Sequence, residues 1–143
     1  MGNALADVAL LYLQALSDSD VDAAVDLLAD EADFRTPMGV IPGKEAARAF
    51  LDGFDHAFPD ATFRVDHVLD HDDLVAVEGV YEGTHTGPLM SPDGGALAPT
   101  GRRVRAPFVT VFAVAGGKIT SHRPYWDVAG FMAQLTGPPD RVP

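Results

Sequence analysis

Cysteine is absent from this chain of 143 residues, which excludes disulfides, thiolate nucleophiles and zinc–thiolate sites together. Lysine occurs only at Lys44, in the first turn of a predicted helix, and at Lys118, in a Gly-rich turn. Neither position is desolvated in the way that a Schiff-base lysine requires. The serines lie outside any G-x-S-x-G context, and no glycine-rich phosphate cradle or dinucleotide fingerprint is present. What remains is acid/base chemistry by carboxylates and histidines, or binding without chemistry.

Long apolar runs and positive charge are also scarce. No segment approaches the roughly 18 apolar residues of a membrane span, and the N-terminus lacks the basic start of a secretion signal. We therefore expect a soluble, unprocessed, cytoplasmic protein with no membrane partner. The formal net charge of -11 argues against nucleic acid, whose phosphates favour Lys and Arg clusters. The expected partner is a neutral or weakly charged, hydrophobic small molecule.

The histidine spacing does not predict a metal site. His67 and His71 resemble an H-x-x-x-H pair, but that spacing brings two imidazoles together only on a helix. On the strand predicted here they stand roughly 13 Å apart, and the surrounding aspartates are typical of a solvated acidic turn. We expect no metal and no cofactor.

Hydrophobic periodicity predicts one α+β domain over residues 1–136, with a tail at 137–143. Apolar residues at helical spacing follow the candidate N-caps Asn3 and Asp20, and period-two alternation begins at Ala61. A curved antiparallel sheet packed on helices leaves an apolar cavity at its open end. The predicted elements are two helices before residue 30, a strand at Asp33–Pro37, a loop at 39–43, a helix at 44–57, a hairpin of two strands on either side of Asp70–Asp73, a loop at 85–102, strands at Val104–Val114 and Ile119–Tyr125, and a closing helix.

The stretch from Gly116 to Leu135 reads as a turn, a strand and that closing helix. Asp127 lies where the strand becomes the helix. Its side chain can cap the free N–H groups of Ala129 or Gly130, or it can act as a catalytic carboxylate in apolar surroundings. The residues alone leave both roles open.

Other side chains are candidates for the cavity. His122, on the last strand, is a second catalytic candidate, and His85 opens the long loop at the cavity mouth. For the aromatic and methionine candidates, ordinary core packing is the alternative role. The remaining substrate-binding candidates are Tyr12, Met38, Phe50, Phe54, Arg105, Tyr125 and Trp126.

A set of short motifs resembles the SnoaL-like polyketide cyclases, of the superfamily of nuclear transport factor two and ketosteroid isomerase. The set runs in order over some eighty residues. It consists of Phe58–Asp60, Asp73–Val77, Gly83–Gly87, Pro99–Gly101, Gly117–Ile119, the pair Trp126 and Asp127, and the pair Gln134 and Leu135.

The resemblance implies a cone-shaped α+β barrel that pairs as a dimer. It also implies a metal-free intramolecular aldol ring closure on a polyketide ester, with Asp127 as the acid/base carboxylate. Two differences from the family keep other functions open: Thr36 stands where many relatives have His, and residues 91–95 lengthen the loop. The other functions are those of another enzyme on the same fold (an isomerase, an epoxide hydrolase or a pericyclic cyclase) or of a non-catalytic binding module.

The strand from Val104 to Val114 has apolar residues on both of its faces, and this indicates how the protein assembles. Helices cover only one side of a single-layer sheet, so the other side needs a partner surface. We therefore expect a homodimer through the outer face of the sheet.

Overall fold

The structure is a computed structural model that describes residues 4–90 and 94–137. The predicted cap Asn3, the part of the loop insertion at 91–93 and the tail beyond Gly137 lie outside these residues. None of the helices in the described ranges has the length and apolar character needed to cross a bilayer.

Four helices and eight strands make up the described part of the chain. The helices confirm the predicted amphipathic segments, and Asp20 caps the second one by accepting from Ala23 N at 3.1 Å. The elements are α1 (Ala4–Ser17), α2 (Val21–Asp26), β1 (Leu28–Thr36), β2 (Gly39–Ile41), α3 (Gly43–Ala57), β3 (Thr62–His71), β4 (Leu74–Thr84), β5 (Leu89–Met90), β6 (Ala96–Leu97), β7 (Arg103–Ala115), β8 (Lys118–Trp126) and α4 (Val128–Thr136).

Six of the strands form one curved, unclosed sheet in the order β2-β1-β8-β7-β4-β3. Every neighbouring pair is antiparallel except β1 and β8, which run parallel. The predicted α+β class is confirmed.

Gly79 of β4 lies at an irregularity in the pairing with β3. A bulge in β3 between Val65 and His67 lies opposite it, and bulges increase local bend and twist. A Cβ atom at position 79 would lie 1.9 Å from the carbonyl oxygen of Arg64. Only glycine lets the two strands approach this closely, so the bulge and the local bend that a bulge favours depend on this residue.

The sheet has an inner face toward the helices and an outer face away from them. Along β7, the even-numbered residues from Val104 to Val114 are all buried, whereas Arg103 and Arg105 are exposed. Contacts from α1 and α3 reach the sheet from the inner side. The main core therefore lies between the inner face and these two helices.

Three boundaries differ from the sequence prediction. β1 begins at Leu28 rather than Asp33, because Leu28 pairs with Ile119 of β8, a partner about ninety residues away in the chain. The predicted loop at 39–43 contains β2, which pairs with the end of β1. The long loop contains the two-residue ladder of β5 and β6, too short to produce a periodic signal.

Candidate functional site

One cavity lies between the inner face and the helices. Its space measures about 860 Å³ when the opening to solvent is included, and most of its wall is aliphatic or aromatic. The wall consists of Leu13, Leu16, Phe34, Phe50, Leu51, Phe54, Asp55, Ala61, Phe63, Tyr81, Ala106, Phe108, Thr110, His122, Pro124, Trp126 and Phe131. A concave apolar surface with a few polar groups is typical of a small-molecule site.

The predicted candidates Phe50, Phe54, Trp126 and His122 all lie in this wall. Phe54 and Trp126 also border a second, smaller pocket, and Met38 lies there rather than in the main cavity. The rings of Phe54 and Trp126 meet edge to face with centroids 6.4 Å apart. The two pockets are therefore separated by aromatic side chains that they share.

His122 is held as a neutral imidazole. It is 5% exposed and its ring stacks on Phe112, with centroids 4.8 Å apart and planes 2° from parallel. Phe34 covers it from another side at 4.6 Å. Because burial among these rings disfavours the charged form, the pKa of His122 falls from 6.5 to about 3. Nδ1 lies 3.3 Å from the hydroxyl of Tyr12, the only hydrogen-bond partner of this ring within the described residues.

Tyr12 lies behind His122 rather than in the cavity wall. It is fully buried, and burial raises the pKa of its phenol above the usual value. Its ring packs edge to face on both Phe112 and His122. The structure therefore gives Tyr12 the role of supporting His122.

Asp127 is the N-cap of α4. Its Oδ1 accepts from Gly130 N at 2.9 Å, and the side chain is exposed. A Cβ atom at position 130 would lie 2.3 Å from Oδ2, so glycine at that position makes room for the carboxylate. The residue before it, Trp126, lines the cavity, but Asp127 itself is not among the wall residues.

Three polar wall residues were not singled out from the sequence: Asp55, Tyr81 and Thr110. Burial raises the pKa of Tyr81, and the negative charge of Asp55 adds to this effect. Among the wall residues in the described ranges, Asp55 is the only acidic one. The sequence does indicate that Thr110 faces inward, because Arg103 and Arg105 mark the odd-numbered face of the strand as solvent-facing.

Three other candidates lie away from the cavity. Arg105 and Tyr125 are on the outer face, where they are exposed, because strand parity turns alternate residues outward. His85 is fully buried within the loop after β4, and burial lowers its pKa. Its ring packs on that of Phe58 at a tilt of 32°, with centroids 5.3 Å apart, and its Nδ1 lies 2.9 Å from the hydroxyl of Thr100.

Two residues of the motifs that carry the family resemblance, Asp60 and Gln134, connect neighbouring segments by hydrogen bonds. Asp60 accepts from the backbone N–H and the hydroxyl of Thr84, both at 2.7 Å, and the first of these bonds is the main reason that its pKa lies below the usual value. Gln134 binds both backbone groups of Arg105, at 2.8 and 3.0 Å, and so fixes α4 to β7. Asp60 and Gln134 thus hold the wall in shape rather than line it, whereas the motif residue Trp126 belongs to the wall itself.

The model of the SnoaL-like polyketide cyclases matches residues 6–135, so this chain belongs to that family. No curated protein matches it in sequence.

Solved structures share the fold over nearly the whole chain. A candidate SnoaL-like polyketide cyclase from Jannaschia sp. CCS1 has a TM-score of 0.83 at 23% identity, covering 95% of this chain and 94% of its own. IdmH, a candidate polyketide cyclase from Streptomyces antibioticus, has a TM-score of 0.76 at 26% identity, with 93% and 99% covered. A protein with a ketosteroid isomerase-like fold from Catenulispora acidiphila DSM 44928 has a TM-score of 0.75 at 19% identity, with 96% and 98% covered.

Proposed function

We propose that this protein closes a ring within a polyketide-derived small molecule bound in the main cavity. The observation that carries the proposal is the cavity itself: a concave, largely aromatic wall with few polar groups, in a chain of the polyketide cyclase family. Such a wall folds a flexible apolar chain and excludes water from it. Holding the reacting carbons together supplies much of the rate of an intramolecular reaction.

The proposed reaction is of the aldol type, with Asp127 as acid and base. The carboxylate removes a proton from a carbon between two carbonyls, and the resulting carbanion attacks a carbonyl carbon of the same molecule. Protonated Asp127 then returns the proton to the alkoxide. Two features support this role: Asp127 directly follows the wall residue Trp126, and releasing its cap costs only about 1 kcal/mol. Acid/base catalysis of this kind contributes about 10² to 10⁴ in rate.

The test separates proton removal from ring closure. A β-keto ester that carries a ketone placed for six-membered ring closure is incubated in D₂O, and NMR follows both exchange of the acidic C–H and appearance of the ring. Asp127→Asn keeps a good capping side chain, so we expect a folded variant with at least a hundredfold slower exchange and closure.

The matched control is Asp55→Asn, because Asp55 is a carboxylate already in the cavity wall. If this variant loses the exchange while Asp127→Asn keeps it, the base is Asp55 and the assignment to Asp127 is wrong.

A second candidate keeps the cavity but not the proton transfer. It is favoured by the position of Asp127, exposed and capping α4. Ring closure of a polyene, isomerisation or plain binding needs only the shape of the wall. In that case Asp127→Asn leaves the rate unchanged, whereas Phe54→Ala, which enlarges the cavity, alters the products or the ligand affinity.

We also propose that the outer face mediates a homodimer. Val109 and Tyr125 are paired across β7 and β8 and remain 36% and 53% exposed. Apolar side chains exposed side by side on a sheet favour a partner surface. A two-fold pair of the same face covers both copies.

A further inference from the structure

Thr110 has a buried hydroxyl that finds no partner among the described residues. The residue is 1% exposed, and its Oγ1 makes no hydrogen bond within the described residues. It lies on the inner face of β7 and in the cavity wall. Burying an unpaired hydroxyl destabilises a protein, and valine has nearly the same shape without that cost. Folding alone therefore favours valine at this position.

The second ring nitrogen of His122, Nε2, also makes no hydrogen bond within the part of the chain that the structure describes. The Tyr12 hydroxyl is fully buried, and the only acceptor within its reach among the described residues is Nδ1 of His122, at 3.3 Å. Donation from Tyr12 to Nδ1 satisfies that hydroxyl and places the ring proton on Nε2. The neutral imidazole then has an N–H donor that no described residue uses.

We propose that Thr110 and His122 form a hydrogen-bonding subsite that takes a carbonyl oxygen of an otherwise apolar ligand. The subsite deepens the proposed function and rests on it only in taking the cavity as the place where the ligand binds.

The two residues are neighbours on the same face. Thr110 pairs with Pro124 and His122 pairs with Phe112, so Thr110 and His122 occupy diagonal positions on adjacent strands. Diagonal residues have Cβ atoms about 7 Å apart, which leaves room for one carbonyl group between the side chains. Their surroundings are aromatic: Phe34, Phe108 and Trp126 belong to the same wall.

This arrangement selects the chemical class of the ligand. Two donors in a largely apolar wall suit an aromatic or polycyclic ketone or ester, and they do not suit a cation. The same donors also stabilise the negative charge that develops on that oxygen when a neighbouring carbon loses a proton. The subsite thus supports carbanion formation as well as binding.

The test uses two probes of nearly equal shape, 1-tetralone and its hydrocarbon counterpart tetralin. Dissociation constants are measured by NMR titration of the ¹⁵N-labelled protein. We expect the wild type to bind the ketone about three- to tenfold more tightly than the hydrocarbon, as one hydrogen bond allows. Thr110→Val should reduce this preference at least twofold with little change for tetralin, whereas the control Thr110→Ser, which keeps the hydroxyl, should retain it.

A stability measurement accompanies the titration. Since Thr110→Val removes an unpaired buried hydroxyl, its melting temperature should rise, by about 3 °C. A fall in melting temperature would show that the hydroxyl is satisfied within the protein, and would overturn the proposal.

Equal binding of both probes by the wild type, or an unchanged preference in Thr110→Val, would also overturn the subsite. Absence of binding for both probes is a different failure, because it contradicts the cavity as a ligand site and therefore the proposed function as well.

Discussion

Alternate residues of β7 lie on the inner and outer faces of the sheet, and the two sets differ in exposure and in the groups they contact. On the inner face, Phe108, Thr110 and Phe112 are at most 7% exposed and meet the cavity or the core. On the outer face, Arg103 and Arg105 pair with Glu82 of β4 at 3.1 and 3.5 Å, with both arginines more than half exposed. We therefore expect inner-face side chains to determine stability and ligand binding, and outer-face side chains to affect assembly. Substitutions on the inner face should therefore have much larger effects on stability and binding than substitutions on the outer face.

The largest expected effect is loss of an inner-face ring. Phe112→Ala removes a fully buried side chain that packs on Tyr12 and His122, so it should lower the free energy of unfolding by about 3 to 5 kcal/mol in urea titrations. The outer-face control Val109→Ala should cost about 1 kcal/mol or less. Equal losses of unfolding free energy in the two variants would contradict the predicted difference between the inner and outer faces.

The next effect is the pH dependence set by His122. Its pKa is about 3 in the folded chain and about 6.5 when unfolded. Between these values the unfolded chain binds a proton that the native chain does not, so stability is lost as the pH falls below 6.5. From pH 6.5 to 4.5 the loss should reach about 2 to 3 kcal/mol.

The control for this prediction is His122→Phe, which keeps an aromatic ring and cannot titrate. Its unfolding free energy should fall clearly less than that of the wild type over the same range. The remaining fall comes from His85, whose pKa is also lowered by burial, while the lowered pKa of Asp60 affects stability only nearer pH 4 and below. A wild-type curve that matches the variant would show that His122 is not desolvated.

The outer face offers a third prediction, on assembly. We expect light scattering at low micromolar concentration to give a dimer of the 15.1 kDa chain. Val109→Asp introduces a charge into the exposed apolar pair with Tyr125 and should weaken the dimer at least tenfold. A wild-type mass near that of one chain would contradict the proposed interface.

The smallest effect concerns the outer-face ion pairs. Glu82→Gln removes the partner of Arg103 and Arg105. Because these arginines are solvated, the variant should lose less than about 1 kcal/mol of stability, and the difference should shrink in 1 M salt. A larger loss that persists in salt would mean that the outer face contributes to folding as the inner face does.

The sequence predicts local features of the fold well and distant pairings poorly. The caps Asp20 and Asp127 were recognisable because a cap needs only the residues that follow it. The start of β1 at Leu28 was not, because it depends on Ile119 in β8. The region after Ala61 alternates with period two, and the hairpin of β3 and β4 followed directly from that pattern.

The site was predictable only in part for a related reason. Aromatic candidates such as Phe54 and Trp126 reach the cavity, as expected of large apolar residues between a sheet and a helix. Arg105 and Tyr125 do not. The outward position of Arg105 was readable from the two arginines at odd-numbered positions, whereas that of Tyr125 depends on its pairing with Val109 of β7. Thr110 looks like an ordinary strand residue, and only the three-dimensional structure shows that its hydroxyl is buried with no partner among residues 4–90 and 94–137.

The central claim, that the inner face binds a small apolar ligand, can be tested with the chain's own fluorescence. Trp126 is the only tryptophan and lies in the cavity wall. Titration with 1-tetralone should quench its emission to saturation. Ala106→Phe, which fills the cavity from the inner face, should weaken the quenching at least tenfold, and Val109→Phe on the outer face should leave it unchanged. Quenching that does not saturate, or that is equal in the two variants, would contradict the claim.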